Sequence, residues 1–138
     1  MSGIYIRSDA GGVVENCHVN YNGNGIKALS SLVTHCMASY NTTNGIIAYG
    51  ACRVIDNVVY RNGCGIYLDS VFDDIENNSI VWNQAGIIAT NYSPHIIVRN
   101  TFTANTTNMV VGLGNTAPLP ISLGNGITNA GPWINIAY

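Results

Sequence analysis

The sequence predicts an all-β chain, a single-stranded right-handed parallel β-helix of about five to six coils, each of about 21 residues. Three observations carry this expectation. A Gly-Ile motif recurs at nearly constant spacing. A second motif of alternating apolar residues and Asn lies between its copies. No segment keeps a 3.6-residue apolar period over the ten or more positions a helix would need.

The first motif opens as Gly3-Ile4-Tyr5-Ile6. It returns as Gly25-Ile26-Lys27-Ala28, Gly45-Ile46-Ile47-Ala48, Gly65-Ile66-Tyr67-Leu68 and Gly86-Ile87-Ile88-Ala89, with Asn108-Met109-Val110-Val111 as a degenerate sixth copy. The steps are 22, 20, 20, 21 and 22 residues. The second motif runs Val14, Cys17, Val19, Asn22 in its first copy and Ile75, Asn78, Ile80, Asn83 in its fourth. Apolar pieces of three to five residues that alternate and end at Asn or Gly read as short strands with sharp turns. Asn and Gly are expected to supply the left-handed conformations of those turns, and Asn108 to meet the same demand as the glycines it replaces.

Stacking such coils at about 4.8 Å converts the repeats into columns. Ile4, Ile26, Ile46, Ile66, Ile87 and Met109 form one inward column. Val14, Val33, Val54, Ile75 and Ile97 form a second, and Val19, Ala38, Val59, Ile80 and Phe102 a third. Cys17, Cys36, Asn57, Asn78 and Asn100 line up at a turn, where stacked amides can bond along the axis.

Composition narrows the function classes. Only 12 of 138 residues are Asp, Glu, Lys or Arg, and the net charge is −2. No basic footprint for nucleic acid is present. No apolar run of 18 residues spans a membrane, and no signal peptide is visible. Cys17, Cys36, Cys52 and Cys64 form no C-x-x-C pair, so a zinc site is not expected.

The stretch Ile75 to Ala89, IENNSIVWNQAGIIA, resembles the parallel β-helix repeat of the pectin-lyase-like superfamily, and the resemblance extends over residues 3–111. That superfamily includes pectate lyases, polygalacturonases, phage tail-spike depolymerases and NosD-like repeats. The resemblance implies that the outer face of the Gly-Ile strand is the substrate groove. It also implies a setting outside the cell or on a particle surface, and side-by-side association as trimers.

On that face the first outward column is Tyr5, Lys27, Ile47, Tyr67, Ile88 and Val110, and the next is Arg7, Leu29, Tyr49, Asp69, Thr90 and Gly112. A face this apolar and aromatic fits a sugar platform, with Tyr5, Tyr49 and Tyr67 as stacking rings, or an interface between copies. Tyr67, with Asp69 beside it, is the expected anchor for a neutral glycan. A separate outward column, Tyr21, Tyr40, Arg61 and Trp82, predicts a cation–π stack.

Asp69, Asp73, Asp74 and Glu76 are the densest carboxylate group. A glycosidase needs two carboxyls about 5–10 Å apart, which Asp69 could form with Asp73 or Asp74 through the loop, and several converging oxygens could take Ca2+. Against this, Arg53 aligns with Asp74 as an ordinary ion pair, and the Gly-His-Gly and Arg-Ile-Lys motifs of polygalacturonases are missing. His35 is expected beside Asp56, whereas His18 and His95 fall in different columns. Cys17 and Cys36 stack within disulfide range, with free thiols the expected state.

Residues 1–111 therefore read as coils and 112–138 as a C-terminal capping segment plugged by Leu123 and Trp133. The open N-terminal end calls for a partner or for preceding chain. No resident cofactor is required. Two readings of function stand: a non-catalytic module that self-associates and binds polysaccharide through its groove face, and a small lyase or hydrolase working near Asp69, Asp73 and Asp74.

Overall fold

The computed structural model describes residues 1–7, 11–90, 94–119, 121–122 and 134–138. Leu123 and Trp133 lie outside the described residues. The first coil holds β1 (Ser2–Arg7), β2 (Val13–Glu15) and β3 (His18–Asn20). The second holds β4 (Asn24–Leu29), β5 (Leu32–Thr34) and β6 (Met37–Ser39), and the third β7 (Asn44–Tyr49), β8 (Arg53–Ile55) and β9 (Val58–Tyr60). The fourth has β10 (Cys64–Leu68), β11 (Asp74–Glu76) and β12 (Ser79–Val81), and the fifth β13 (Ala85–Ala89), β14 (Ile96–Val98) and β15 (Thr101–Thr103). A sixth begins with β16 (Thr107–Val111), and β17 (Ile121–Ser122) and β18 (Ile136–Ala137) follow.

Equivalent strands pair in parallel across coils and build three sheets. The first sheet is β1-β4-β7-β10-β13-β16 and the second is β14-β11-β8-β5-β2. The third is β17-β18-β15-β12-β9-β6-β3. The register matches the columns read from the sequence: Ile4 pairs Ile26, Ile26 pairs Ile46, and so on to Met109. The core between the sheets is almost wholly branched aliphatic, with Ile26, Ile46, Ile66, Ile75, Ile80, Ile87, Ile97 and Phe102 fully buried.

The turns depart from the sequence expectation. Asn16 and Asn77 take the left-handed conformation as expected, but the ladder asparagines do not; the residue before each of them does. Tyr21, Tyr40, Arg61, Trp82 and Ala104 have φ between 52° and 56° and precede Asn22, Asn41, Asn62, Asn83 and Asn105. Asn16, His35, Asp56, Asn77 and Arg99 do the same before Cys17, Cys36, Asn57, Asn78 and Asn100. The asparagine then turns inward. The Asn57 Nδ2 group donates to the carbonyls of Val33 and Ile55, and the Asn57 and Cys36 backbone N–H groups donate to the Oδ1 atoms of Asn78 and Asn57. This ladder gains a rung that sequence reading missed, because Asn135, 35 residues further on, accepts the Asn100 N–H. A second ladder of the same design runs from Asn22 to Asn105 at the corner between the third and first sheets.

The glycine column is also not a matter of φ. A Cβ at Gly45 would come within 2.7 Å of the Gly65 carbonyl and of the Val59 side chain, and within 2.8 Å of the Asn62 amide. Glycine is present because a backbone and a ladder rung close over it. Asn108 is accommodated because no further strand of the first sheet stacks on β16 among the described residues.

Asn78→Leu removes the acceptor of the Asn57 N–H and the donor to the Val54 carbonyl, both buried. At about 1–3 kcal/mol for each group left unpaired, thermal melting followed by circular dichroism should fall by many degrees. An unchanged midpoint would refute the ladder. Gly45→Ala should cost about 1–3 kcal/mol by overpacking, with the same measurement as the check.

Candidate functional site

The first sheet presents its outer face as two columns. Pairing places Tyr5 beside Lys27, Lys27 beside Ile47, Ile47 beside Tyr67, Tyr67 beside Ile88 and Ile88 beside Val110. Arg7, Leu29 and Tyr49 stand in register two residues on. The face is not a uniformly open apolar stripe. Ile47 is only 8 % exposed, because the longer Lys27 and Tyr67 side chains flank it, and Tyr67 and Ile88 are half-buried. Tyr5, Tyr49 and Val110 are its exposed apolar and aromatic members.

Side chains converge at the N-terminal end of this face. The Lys27 ammonium lies 5.6 Å from the Tyr5 ring centroid and 5.8 Å from that of Tyr49. Strand alternation sends all three side chains outward, and parallel register stacks them one coil apart. With Arg7 and Leu29 they line a cavity of about 290 Å³. A cation held between two ring faces loses much of its freedom, so its N–H donors are held in place before any ligand arrives. A second, shallower depression of about 480 Å³ lies near the other end, lined among others by Thr42, Thr43, Asn44, Gln84, Thr106 and Thr107.

The carboxylates predicted as a catalytic group meet different surroundings. Asp69 is exposed at the end of β10. Asp74, on the outer face of the second sheet, pairs with Arg53 at 3.4 Å, as the alignment of the two coils implied. Asp73 is 1 % exposed and turns inward at the corner between the first and second sheets. Its Oδ1 accepts the Cys52 N–H at 2.8 Å. It cannot face a groove ligand, so the pairing of Asp69 with Asp73 does not form. Glu76 pairs with Arg99. Among the described residues, no three His, Cys, Asp or Glu side chains form a group that could hold a metal ion.

The other candidates resolve as follows. Arg61 lies 5.7, 5.3 and 4.4 Å from the centroids of Tyr40, Tyr60 and Trp82. The predicted cation–π stack is there, and it gains Tyr60 from the third sheet. His35 meets Thr34 and Glu15 rather than Asp56, whose carboxylate is bound by Asn77. The turn directs His35 toward the coil below, whereas the Asp56 partner comes from the coil above. All four cysteines are free. Burial raises the Cys36 and Cys52 thiols and pushes Cys64 up to about 12, so none of these three is a ready thiolate.

Sequence reading missed the buried imidazole of His95, wholly covered and seated on Asp73. Its signal was weak: it occupies the rung position of a corner whose column, Ser31, Cys52, Asp73, His95, Asn115, has no common residue type.

Comparison of the chain with protein-family models matches residues 1–105 to the right-handed β-helix region. No curated protein and no solved structure matches it.

Proposed function

From the premise that the chain belongs to the right-handed β-helix family, we propose that it is a non-catalytic module that binds a neutral or weakly charged glycan on the outer face of its first sheet. The observation that carries this is the cradle in which Tyr5 and Tyr49 hold Lys27 between them, with Arg7 and Leu29 alongside. A sugar offers hydroxyl acceptors to the ammonium and guanidinium donors and C–H faces to the exposed tyrosines. The face carries little charge beyond this point, with Asp69 alone at the middle coil, which suits a hydroxyl-rich ligand better than a polyanion. The scattered carboxylates support a binding role over hydrolysis. The anchor moves from Tyr67, half-buried between Ile47 and Ile88, to Tyr49 and Tyr5.

Copies of the chain are proposed to meet through the apolar end of the same face, at Ile88 and Val110, as a trimer. Light scattering that reads the mass of one chain at high concentration would remove that part of the reading.

The binding reading is tested by a glycan array followed by calorimetric titration of the best hit. Tyr49→Ala should weaken binding at least tenfold and leave the melting temperature within about 1 °C, since its exposed ring contributes little to the core. Affinity should change little between low and high salt. An acidic polymer that binds tightly, dissociates in salt and ignores Tyr49 would overturn the proposal, as would an array with no hit.

A further inference from the structure

The corner between the first and second sheets carries a ladder of the same logic as the asparagine corners but of different chemistry. Its rungs are Ser31, Cys52, Asp73, His95 and Asn115. The backbone connections are those of an asparagine ladder. The Cys52 N–H donates to Asp73 Oδ1 at 2.8 Å, the Asp73 N–H to His95 Nδ1 at 3.2 Å, and the His95 N–H to Asn115 Oδ1 at 3.1 Å.

In the asparagine ladders each interior rung sends two donors into one acceptor of the next coil. Asn57 sends both its backbone N–H and its Nδ2–H to Asn78 Oδ1, each at 3.0 Å. Asn62 treats Asn83 in the same way. At Asp73 the atom in the amide position is Oδ2, 3.3 Å from His95 Nδ1. Neither Oδ2 nor His95 Nε2 makes a hydrogen bond of good geometry, although the Ser70 backbone acts on the His95 ring as a hydrogen-bond partner that favours its charged form. The imidazole lone pair at Nδ1 already receives the Asp73 N–H. A proton on Nδ1 would therefore point one donor at another, which excludes an ordinary aspartate–imidazolium pair. An ionised carboxylate beside a neutral imidazole would set two lone pairs against each other in a dry site. A proton on Oδ2 turns that oxygen into a donor, and the single Nδ1 lone pair then takes the Asp73 N–H and O–H together as a shared acceptor, which restores the two-donor rung.

We propose that Asp73 is a protonated carboxylic acid donating to a neutral, Nε2-protonated His95, and that this bond is a pH-sensitive latch joining the Asp69–Asp73 loop at the groove edge to the coil above. The groups around it fit. The titratable neighbour below is the Cys52 thiol, which burial keeps protonated. Asn115 above is neutral. Asp74 points outward to Arg53, and Asp69 is exposed. Burial also raises the Asp73 carboxyl to about 6 and lowers His95 from its ordinary value.

The two groups have opposite linkage signs. The stability tied to the Asp73 proton is full below its unfolded value of 3.8 and is lost as pH rises through about 6. The stability tied to neutral His95 is full above 6.5 and is lost as pH falls toward its lowered value. The slopes offset each other in mildly acidic solution, and the latch releases on the alkaline side.

The direct measurement is NMR of the intact chain between pH 5 and 8, following the Asp73 carboxyl carbon and the His95 ring nitrogens. At pH 5 a protonated Asp73 and a neutral Nε2–H His95 are expected, with Asp73 titrating near 6. An ionised Asp73 beside a doubly protonated His95 at that pH would overturn the proposal. Asp73→Asn gives an independent reading, because it installs the amide donor permanently. Its melting temperature relative to wild type should climb between pH 4 and 7 and level off above. A difference independent of pH, or one that shrinks as pH rises, would refute the latch.

Discussion

Each coil closes on corners where a residue with a side chain stands at positive φ, and a buried side chain immediately after it makes that corner tolerable. Thirteen non-glycine residues among those described hold this conformation, and at about 1–2 kcal/mol each the strain would rival the net stability of a domain. The rung offsets it. An Asn such as Asn83 accepts the Asn62 N–H from the coil below and donates to the Val59 and Val81 carbonyls, so backbone groups stranded by the turn are satisfied in the dry interior. An unpaired amide there costs about as much as the strain itself, which is why rung and left-handed residue occur together.

That division of labour shapes the surface. Since the strain is offset from inside, the left-handed residue is selected for what it does outside, and here it is often bulky: Tyr21, Tyr40, Arg61 and Trp82 at one corner, His35 and Arg99 at another. Stacking at the strand spacing brings these side chains into contact without any loop. Tyr21 and Tyr40 lie 5.2 Å apart and nearly parallel, and Arg61 sits over Trp82. The same spacing places Lys27 between Tyr5 and Tyr49 on the first sheet. A solenoid thus builds clusters from residues about 20 apart in sequence, each set by an outward choice that the core does not restrict.

The fold was legible because its columns are inward, periodic and chemically uniform. Ile26, Ile46 and Ile66 can be aligned by eye, and their pairing follows. The turn ladder was legible for the same reason, but which residue carries the strain was not. Asn tolerates positive φ well, so propensity pointed to the rung and away from tyrosine and tryptophan. The corner of Ser31, Cys52, Asp73, His95 and Asn115 stayed hidden because hydroxyl, thiol, carboxyl, imidazole and amide can each fill a rung, and no repeat of residue type marks the position. Asn135 was hidden by its distance of 35 positions from Asn100. At the site, outward direction and register were readable, so Tyr5, Lys27 and Tyr49 were found. The cover that Lys27 and Tyr67 give Ile47 depends on side-chain length across coils and was not.

Asp73 shows why the acidic residues of such a chain resist reading by count. In sequence it is one of four carboxylates within eight residues, a pattern that suggests chemistry on a surface. In the fold, chain direction reverses its side-chain orientation relative to Asp74 and sends the two to opposite environments, one to Arg53 in water and one to a buried column. What a rung demands is fixed by its neighbours: an acceptor toward the coil below and a donor toward the coil above. Asparagine meets both at any pH. A carboxyl meets both only with a proton, and an imidazole accepts that proton only when its own sits on the far nitrogen. The ladder geometry that supports the corners therefore also determines which protonation states two of its members can hold.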